Sequence, residues 1–476
     1  MSVSRRSFLE MAALSVLPPA PAAKHPNIIL LLGDDHRWDA LGCMGNAVVQ
    51  TPNLDRLARE GILFENHFAT TPICCASRAS IMLGEYAGGH GIYDFATPFS
   101  PAQVATTYWG QMRRAGYHIG FIGKFGVGNK MPEDAFDVWM GFPGQGFYFP
   151  DGPNGPHLNH IMRDQAIEFL ESAPANKPFC LSISFKSPHV QDEDPRQYLP
   201  SQDTEARYKN IHIPPHPGAK PEDINRFPPA LQHSENRRRW GVRFSTPEIY
   251  QASMNGYYRL VTGIDDVVAA LRESLSKLGI ADNTIIIYSA DHGIFNGEHG
   301  FAGKWYGHEE SLRIPLIIYD PRLPSPAASN RINAMTLNID LQPTVLELAG
   351  LSAGFAVHGR SVSPFLQNPQ SPERSIWYFE HRFPFRGWIP SSEGIRTKRW
   401  KYIRYTDVAA PYEELYHLES DPIETVNLAG NSSYLSQQKT LTRYCQTWER
   451  ALASWKPGAE WRDPISQSDL ERDGLI

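Results

Sequence analysis

Asn27-Ile28-Ile29-Leu30-Leu31-Leu32-Gly33-Asp34-Asp35 sets five aliphatic residues in a row and closes them with a glycine and two adjacent carboxylates. A short apolar run ended by a turn residue reads as a β-strand buried on both faces. The same reading holds for 118–122, 179–185, 284–289 and 314–319, and helical spacing lies between them at 53–60, 101–115, 159–171 and 248–278. Strands alternating with helices imply an α/β domain, a large, doubly wound, mostly parallel sheet covered on both faces. Ligands of such a sheet gather at the carboxyl ends of its strands. We assign this domain to residues 24–370. A Pro-rich, charged stretch at 191–246, with Arg237-Arg238-Arg239, interrupts it, and connections of that length are usually functional or mobile. After Pro364 the alternation stops. Short strands at 376–380, 394–396 and 401–405, followed by a helix over 435–455, predict a smaller C-terminal antiparallel sheet plus helix domain at 371–476.

Composition narrows the function. The chain has 476 residues, 41% of them hydrophobic and 11% aromatic, enough for a large core. Its 45 Lys and Arg against 51 Asp and Glu leave a net charge of -6, without the basic excess that phosphate backbones demand, so a nucleic-acid partner is not expected. Beyond the N-terminus there is no apolar run of membrane-spanning length, and no integral membrane span is expected. Residues 1–23 contain Ser4-Arg5-Arg6-Ser7-Phe8-Leu9, an apolar stretch from Met11 to Leu17 and Ala20-Pro21-Ala22. They resemble a bacterial twin-arginine signal peptide, which makes the export machinery a partner and a periplasmic or secreted location the expectation. The five cysteines are odd in number; were one consumed chemically, the other four would allow three pairings.

Adjacent carboxylates at a strand end repel unless a cation or a proton compensates them. The strand at 284–289 runs into Ala290-Asp291-His292-Gly293, a second acidic strand end. Asp34, Asp35 and Asp291 converging on one rim would form an oxygen-rich site for Ca²⁺ or Mg²⁺, with His292 as a further ligand.

Between these elements lies Thr71-Pro72-Ile73-Cys74-Cys75-Ala76-Ser77-Arg78-Ala79-Ser80. This segment resembles the signature of type I sulfatases, of the alkaline phosphatase superfamily, which reads Cys (or Ser)-x-Pro (or Ala)-x-Arg. The resemblance extends from Asn27 to the C-terminal sheet. It implies that Cys74 is oxidised by a formylglycine-generating maturation enzyme to Cα-formylglycine, the nucleophile and a metal contact, with Arg78 holding its hydrate. That hydrate carries a second hydroxyl, which can expel sulfate by C–O cleavage. Gly123-Lys124, Ser187-Pro188-His189 and Gly303-Lys304 match further family elements. They imply that Lys124 binds sulfate oxygen, that His189 contacts the bridging oxygen, and that His189 or Lys304 protonates the leaving alcohol.

One position departs from the pattern. The family commonly has Lys-x-His, whose histidine takes the proton from the second hydroxyl; here the sequence is Lys124-Phe125-Gly126, leaving His90 or His118 as replacements. Arg37, Trp305 and His381, with the aromatic segment 381–388, are candidates for a sugar subsite. Asp-Asp-x-Arg at 34–37 and the segment 392–397 resemble polysaccharide and glycosaminoglycan sulfatases, so the implied substrate is a sulfated carbohydrate. Two alternatives stand beside this reading. One is a phosphodiesterase or phosphonate monoester hydrolase of the same superfamily; the other is a non-catalytic exported glycan-binding protein. Asp340 reads as a helix N-cap, and Asp265-Asp266 as the polar face of a long helix.

Overall fold

The computed structural model describes residues 25–323, 330–352, 354–385 and 388–476. The export signal read at 1–23 lies outside them.

The main sheet has eight strands: β1 (Asn27–Asp34), β2 (Ile62–Phe68), β3 (His118–Lys124), β4 (Val138–Phe142), β5 (Phe179–Pro188), β6 (Thr284–Ala290), β9 (Arg313–Tyr319) and β10 (Arg331–Leu337). A small hairpin, β7 (Phe295–Asn296) with β8 (Ala302–Gly303), separates β6 from β9. The spatial order is β10-β2-β9-β6-β1-β5-β3-β4. β1 is central and pairs parallel with β5 and β6. Only β9 runs against its neighbours, β2 and β6.

The alternation of β1 shows why both faces are covered. Ile29 and Leu31 join the core that includes helices α3 (Leu158–Ser172) and α5 (Pro247–Lys277). Ile28, Leu30 and Leu32 join the opposite core, under α2 (Cys74–Leu83) and α6 (Leu341–Leu348). A period of two with both faces apolar leaves no polar position along the strand until its end. Chemistry is therefore confined to the carboxyl-terminal rim. α1 (Pro52–Glu60) precedes β2, and α4 (Glu235–Arg243) emerges from the Pro-rich stretch.

β11 (Ile376–His381), β12 (Ser392–Thr397), β13 (Trp400–Tyr405) and β14 (Tyr412–His417) form an antiparallel sheet in chain order, followed by α7 (Leu435–Ser454). Its two faces are both apolar: Trp377 packs on Phe68 from one, and Tyr378 meets Trp448 of α7 and Tyr86 from the other, in one continuous core. Among the described residues no helix is long and apolar enough to cross a membrane, and all five cysteines are free.

Two expectations change. Asp265 is buried rather than on a polar face: its carboxylate accepts from the backbone N–H of Asn53 (2.9 Å) and of Leu54 (2.7 Å) at the start of α1. A helix thus receives its cap from a residue 212 positions away. Asp340 precedes α6 without capping it, because its oxygens are taken by Leu337 N, Arg360 N and the Arg374 guanidinium.

Candidate active site

The carboxyl ends of β1, β3, β5 and β6 and the start of α2 meet at one point. β1 delivers Asp34 and Asp35 there. Asp35 has φ +63°, in the left-handed region, so the chain turns sharply as it leaves the strand. β6 delivers Asp291, whose Oδ1 accepts from Asp35 N (3.3 Å) and His292 N (2.9 Å). Cys74 is the first residue of α2, where backbone N–H groups lack helical partners and favour an anion. All ten residues of α2 are buried, and Gly84 ends it in the left-handed conformation.

The Cys74 thiol lies 3.3 Å from Lys304 Nζ, 3.3 Å from His292 Nε2 and 3.5 Å from Asp34 Oδ1. Arg78 is fully buried one helical turn on. It donates to Asp291 Oδ2 (2.9 Å), Asp34 Oδ2 (3.0 Å), Lys124 O (2.7 Å) and Ser184 Oγ. Lys124 Nζ binds Asp34 Oδ2 and Gln145 Oε1 (2.6 Å); Lys304 Nζ binds Asp35 Oδ1 (2.8 Å). His189 Nε2 stands 3.7 Å from Asp35 Oδ2, and its Nδ1 lies 2.6 Å from the Val190 carbonyl. Cys74, Arg78, Lys124, His189, Lys304, Asp34, Asp35, Asp291 and His292 thus form one contiguous buried cluster.

Charge pairing sets the protonation states. Burial alone would raise the Asp34 carboxyl, but Lys124, Arg78 and Lys304 together hold it well below the usual carboxylate range. His189 is pulled well below its ordinary value by burial and by Lys304, so its ring is neutral. His292 loses affinity for its proton by burial but gains more from Asp291, ending near 9. Lys304 is raised in spite of burial, chiefly by Asp35, and stays an ammonium.

Ligand atoms of Asp34, Cys74, Asp291 and His292 lie within 4.8 Å of one another, as do those of Asp34, Asp35 and His189. Carboxylates buried this closely suit one hard divalent ion.

Cys74, His189 and Lys304 open into a cavity of about 360 Å³ whose wall includes Gln145, Asp192, Glu235, Arg238, Arg239, Trp305, Phe383, Phe385 and Trp388. Trp305 is thus at the cavity. Arg37 is buried and paired with Asp39 (2.6 Å) and Glu298 (2.6 Å), and it does not line the cavity. His381 also lies behind the wall, its two ring nitrogens without hydrogen bonds; burial pulls it down to about 3. Neither histidine named for position 126 lines the cavity. His90 bonds Ser80 Oγ (3.0 Å) and Ile92 N, and His118 starts β3, about 20 Å along the strand from Lys124. Gly126 has φ +75°, and a Cβ there would come 2.7 Å from Arg78 Cδ, so the arginine arm fills the space a histidine needs. Gln145, Ser184 and Glu235 carried no sequence signal, since each is an ordinary polar residue outside any motif.

A family model described as Sulfatase matches residues 26–351. The chain belongs to the sulfatase family. A second model, N-sulphoglucosamine sulphohydrolase, C-terminal, matches 297–450 of this sulfatase. The sulfatase is 29% identical to an N-acetylglucosamine-6-O-sulfatase of Bacteroides thetaiotaomicron, over 93% of this chain and 90% of that one. It is likewise 29% identical to an ulvan-active sulfatase of Formosa agariphila, covering 90% and 81%. A structure solved with its substrate D-glucosamine-2-N,6-O-disulfate superposes with TM-score 0.76 at 28% identity, covering 92% of this chain and 100% of that one. This sulfatase is a sulfuric ester hydrolase, and its two-sheet architecture is that of the alkaline phosphatase-like sulfatases.

Proposed function

We propose that the protein is an exported sulfatase that removes sulfate esters from a carbohydrate, using a Cα-formylglycine made from Cys74 and one divalent ion, Ca²⁺ or Mg²⁺. The observation that carries the reading is the position of Cys74. Its sulfur sits at the start of a buried helix, between Lys304 and His292 and against Asp34, on the floor of a cavity. A cavity of about 360 Å³ falls within the roughly 300–1,000 Å³ of small-ligand sites. Its aromatic wall suits sugar faces. The carbohydrate assignment also draws on the sulfated-sugar relatives, and export on residues 4–22.

The residues divide the work. Asp34, Asp35, Asp291 and His292 would hold the ion, which supplies Lewis acidity toward a sulfate oxygen and lowers the pKa of the nucleophile. The hydrate of a formylglycine at position 74 would supply one hydroxyl for attack on sulfur and a second through which sulfate leaves. Arg78 fixes Asp34 and Asp291 with separate nitrogens, so both carboxylates keep their aim without moving on substrate entry. Lys304 places its amino group beside the Cys74 sulfur and Lys124 places its own on Asp34, where the two would take up sulfate charge. His189, held through Nδ1 by Val190, is the group placed to contact the bridging oxygen through Nε2, and Lys304, an ammonium beside the Cys74 sulfur, is the group positioned to protonate the leaving alcohol.

The test is mass spectrometry of the Cys74 peptide from a host with the maturation enzyme, metal analysis of the same sample, and sulfate release from a panel of sulfated sugars. Aldehyde at position 74, one equivalent of divalent ion and turnover of a sugar sulfate are expected. Faster turnover of phosphonate or phosphate diesters would overturn the substrate class, and conversion without any turnover would favour a glycan-binding role.

A further inference from the structure

The cavity wall facing the Cys74 floor carries charges that the hydrolytic reading does not use. α4 contributes Glu235, Arg238 and Arg239, with Arg243 buried behind them, and the turn after His189 contributes Asp192. Arg238 meets Glu235 through two bonds of 2.6 Å and turns the rest of its side chain to solvent, 56% exposed. Arg243 is buried, with Nη2 on Asp192 (2.8 Å) and Nε on Gln197 (2.9 Å). Arg239 shares what remains: Nε meets Glu235 Oε1 at 2.8 Å and Nη2 meets Asp192 Oδ2 at 3.4 Å. Three guanidinium groups therefore share two carboxylates, leaving one positive charge uncompensated.

The geometry locates that excess. Arg239 lies over the Trp305 ring at 4.9 Å, which fixes its plane, and its side chain is 16% exposed. Its Nη1 has no protein hydrogen-bond partner among the described residues, and the residue lines the same cavity as Cys74, His189 and Lys304. The wall is braced. Glu235 N donates to Trp388 O (2.8 Å), and Asn236 Nδ2 donates to Lys304 O (2.8 Å), tying α4 both to the aromatic segment and to a floor residue.

We propose that Arg239 is a specificity-determining residue that binds a second anionic group, sulfate or carboxylate, on the sugar whose sulfate ester sits at Cys74. The inference rests on the sulfate-ester reading and deepens it: the preferred substrate carries at least two oxyanions. A guanidinium with one edge open and its plane fixed suits such a group, and the surplus charge leaves the subsite attractive to anions.

The experiment compares glucosamine 2-N,6-O-disulfate, N-acetylglucosamine 6-O-sulfate, a 6-O-sulfated disaccharide bearing a uronate, and 4-nitrophenyl sulfate. Substrates are run against wild type, Arg239→Gln and Arg239→Lys, with thermal melting to confirm that each variant is folded. For Arg239→Gln, kcat/KM on the substrates with a second anion should fall roughly 10- to 100-fold, mainly through KM, as expected for a lost hydrogen bond to a charged group. The two singly charged substrates should change less than about twofold, within the noise of a surface change. Arg239→Lys, which keeps the charge but loses the stacked planar fork, should recover only part of the selectivity. The disulfated and the uronate arms tell sulfate from carboxylate. Equal losses on all four substrates, or a wild type indifferent to the second anion, would overturn the proposal while leaving the sulfatase reading intact. If wild type hydrolyses none of them, the substrate reading fails instead. Calorimetric binding of the disulfated sugar to unmatured protein then still judges Arg239, because it needs no turnover; weaker binding by Arg239→Gln supports the site, and unchanged binding refutes it.

Discussion

The floor and the wall of the cavity are built on opposite plans. On the floor, four strand ends and one helix start deliver acids, bases and the thiol into a region where Asp34, Arg78, Lys124 and Asp291 have no solvent exposure. Every carboxylate there touches a cation. The wall comes from a long connection and from the C-terminal segment, and it shows solvent a set of aromatic rings, Phe385 at 48% and Trp388 at 56% exposure. The floor is fixed by backbone topology and fits one chemistry, whereas the wall is adjustable and selects what reaches it. If this contrast is right, damage to the floor should be severe and independent of substrate, and damage to the wall mild and substrate-specific.

Cys74→Ala is the harshest test. Loss of the nucleophile should lower sulfate release from every substrate by about 10⁴-fold or more while melting stays near wild type, since the side chain is small and sits at a helix start. Residual activity within tenfold of wild type would remove Cys74 from the chemistry.

Arg78→Lys comes next. A lysine cannot reach Asp34, Asp291, Ser184 and the Lys124 carbonyl together, so at least one buried carboxylate is left without its partner. Breaking one partner of a buried pair costs about 3–5 kcal/mol, visible as a lower denaturation midpoint as well as lost activity. A variant with wild-type stability would show that the neighbouring lysines already suffice.

These two positions also show what kinds of signal the sequence carries. Asp34, Asp35 and Asp291 follow apolar strands, boundaries that periodicity locates, whereas Cys74, Arg78, Lys124 and His189 are read only through the resemblance to the sulfatase signature; the structure brings all seven together. The five central strands and the longest helix are legible through periodicity. β2, β4, β10 and β14 are not. Ile62–Phe68 and Arg331–Leu337 mix polar and apolar residues because they lie toward the sheet edge, and Val138–Phe142 is only half-buried. The wall is illegible for a different reason. Glu235 and Trp388 are joined by a backbone hydrogen bond across 153 positions, and no local pattern reports such a contact.

Asp265 separates burial from pairing. Like Asp34 it is a buried carboxylate, but backbone and amide donors meet it instead of cations. Burial outweighs them and lifts it to about 6. Between pH 4 and 6 the folded state therefore holds a proton that the unfolded chain has released, and this group's contribution to stability falls as pH rises through that window. The difference amounts to about 3 kcal/mol. Asp265→Asn should thus gain on wild type by up to that amount between pH 4 and pH 7 in parallel denaturation curves. A pH-independent difference would show that the hydrogen bonds from Asn53 and Leu54 already stabilise the anion.

Gly126→Ala probes the floor's lack of room. The left-handed backbone alone costs a residue with a side chain about 1–3 kcal/mol, and the Cβ must also displace Arg78 Cδ from 2.7 Å. Both stability and turnover should drop, and Gly126→His should fare no better despite restoring the family's usual residue. A gain in turnover on introducing the histidine would mean that the Arg78 arm moves aside, and that the floor is less rigid than its packing implies.

Trp388→Ala is the mildest change and bears most directly on the wall. The indole is more than half exposed, so little core is lost and melting should stay within about 0.5 kcal/mol of wild type. Its ring meets Phe385 edge to face at 6.2 Å, and the pair borders the cavity, so what disappears is a platform for a sugar ring. Stacking of that kind is worth about 1 kcal/mol, which predicts roughly a fivefold rise in KM for sulfated sugars with kcat unchanged. Aryl sulfate should barely respond, because its sulfate is held on the floor and its ring is too small to span both surfaces. A uniform loss of kcat would place Trp388 among the groups that organise the floor, and the division between a fixed chemical base and an adjustable wall would have to be redrawn.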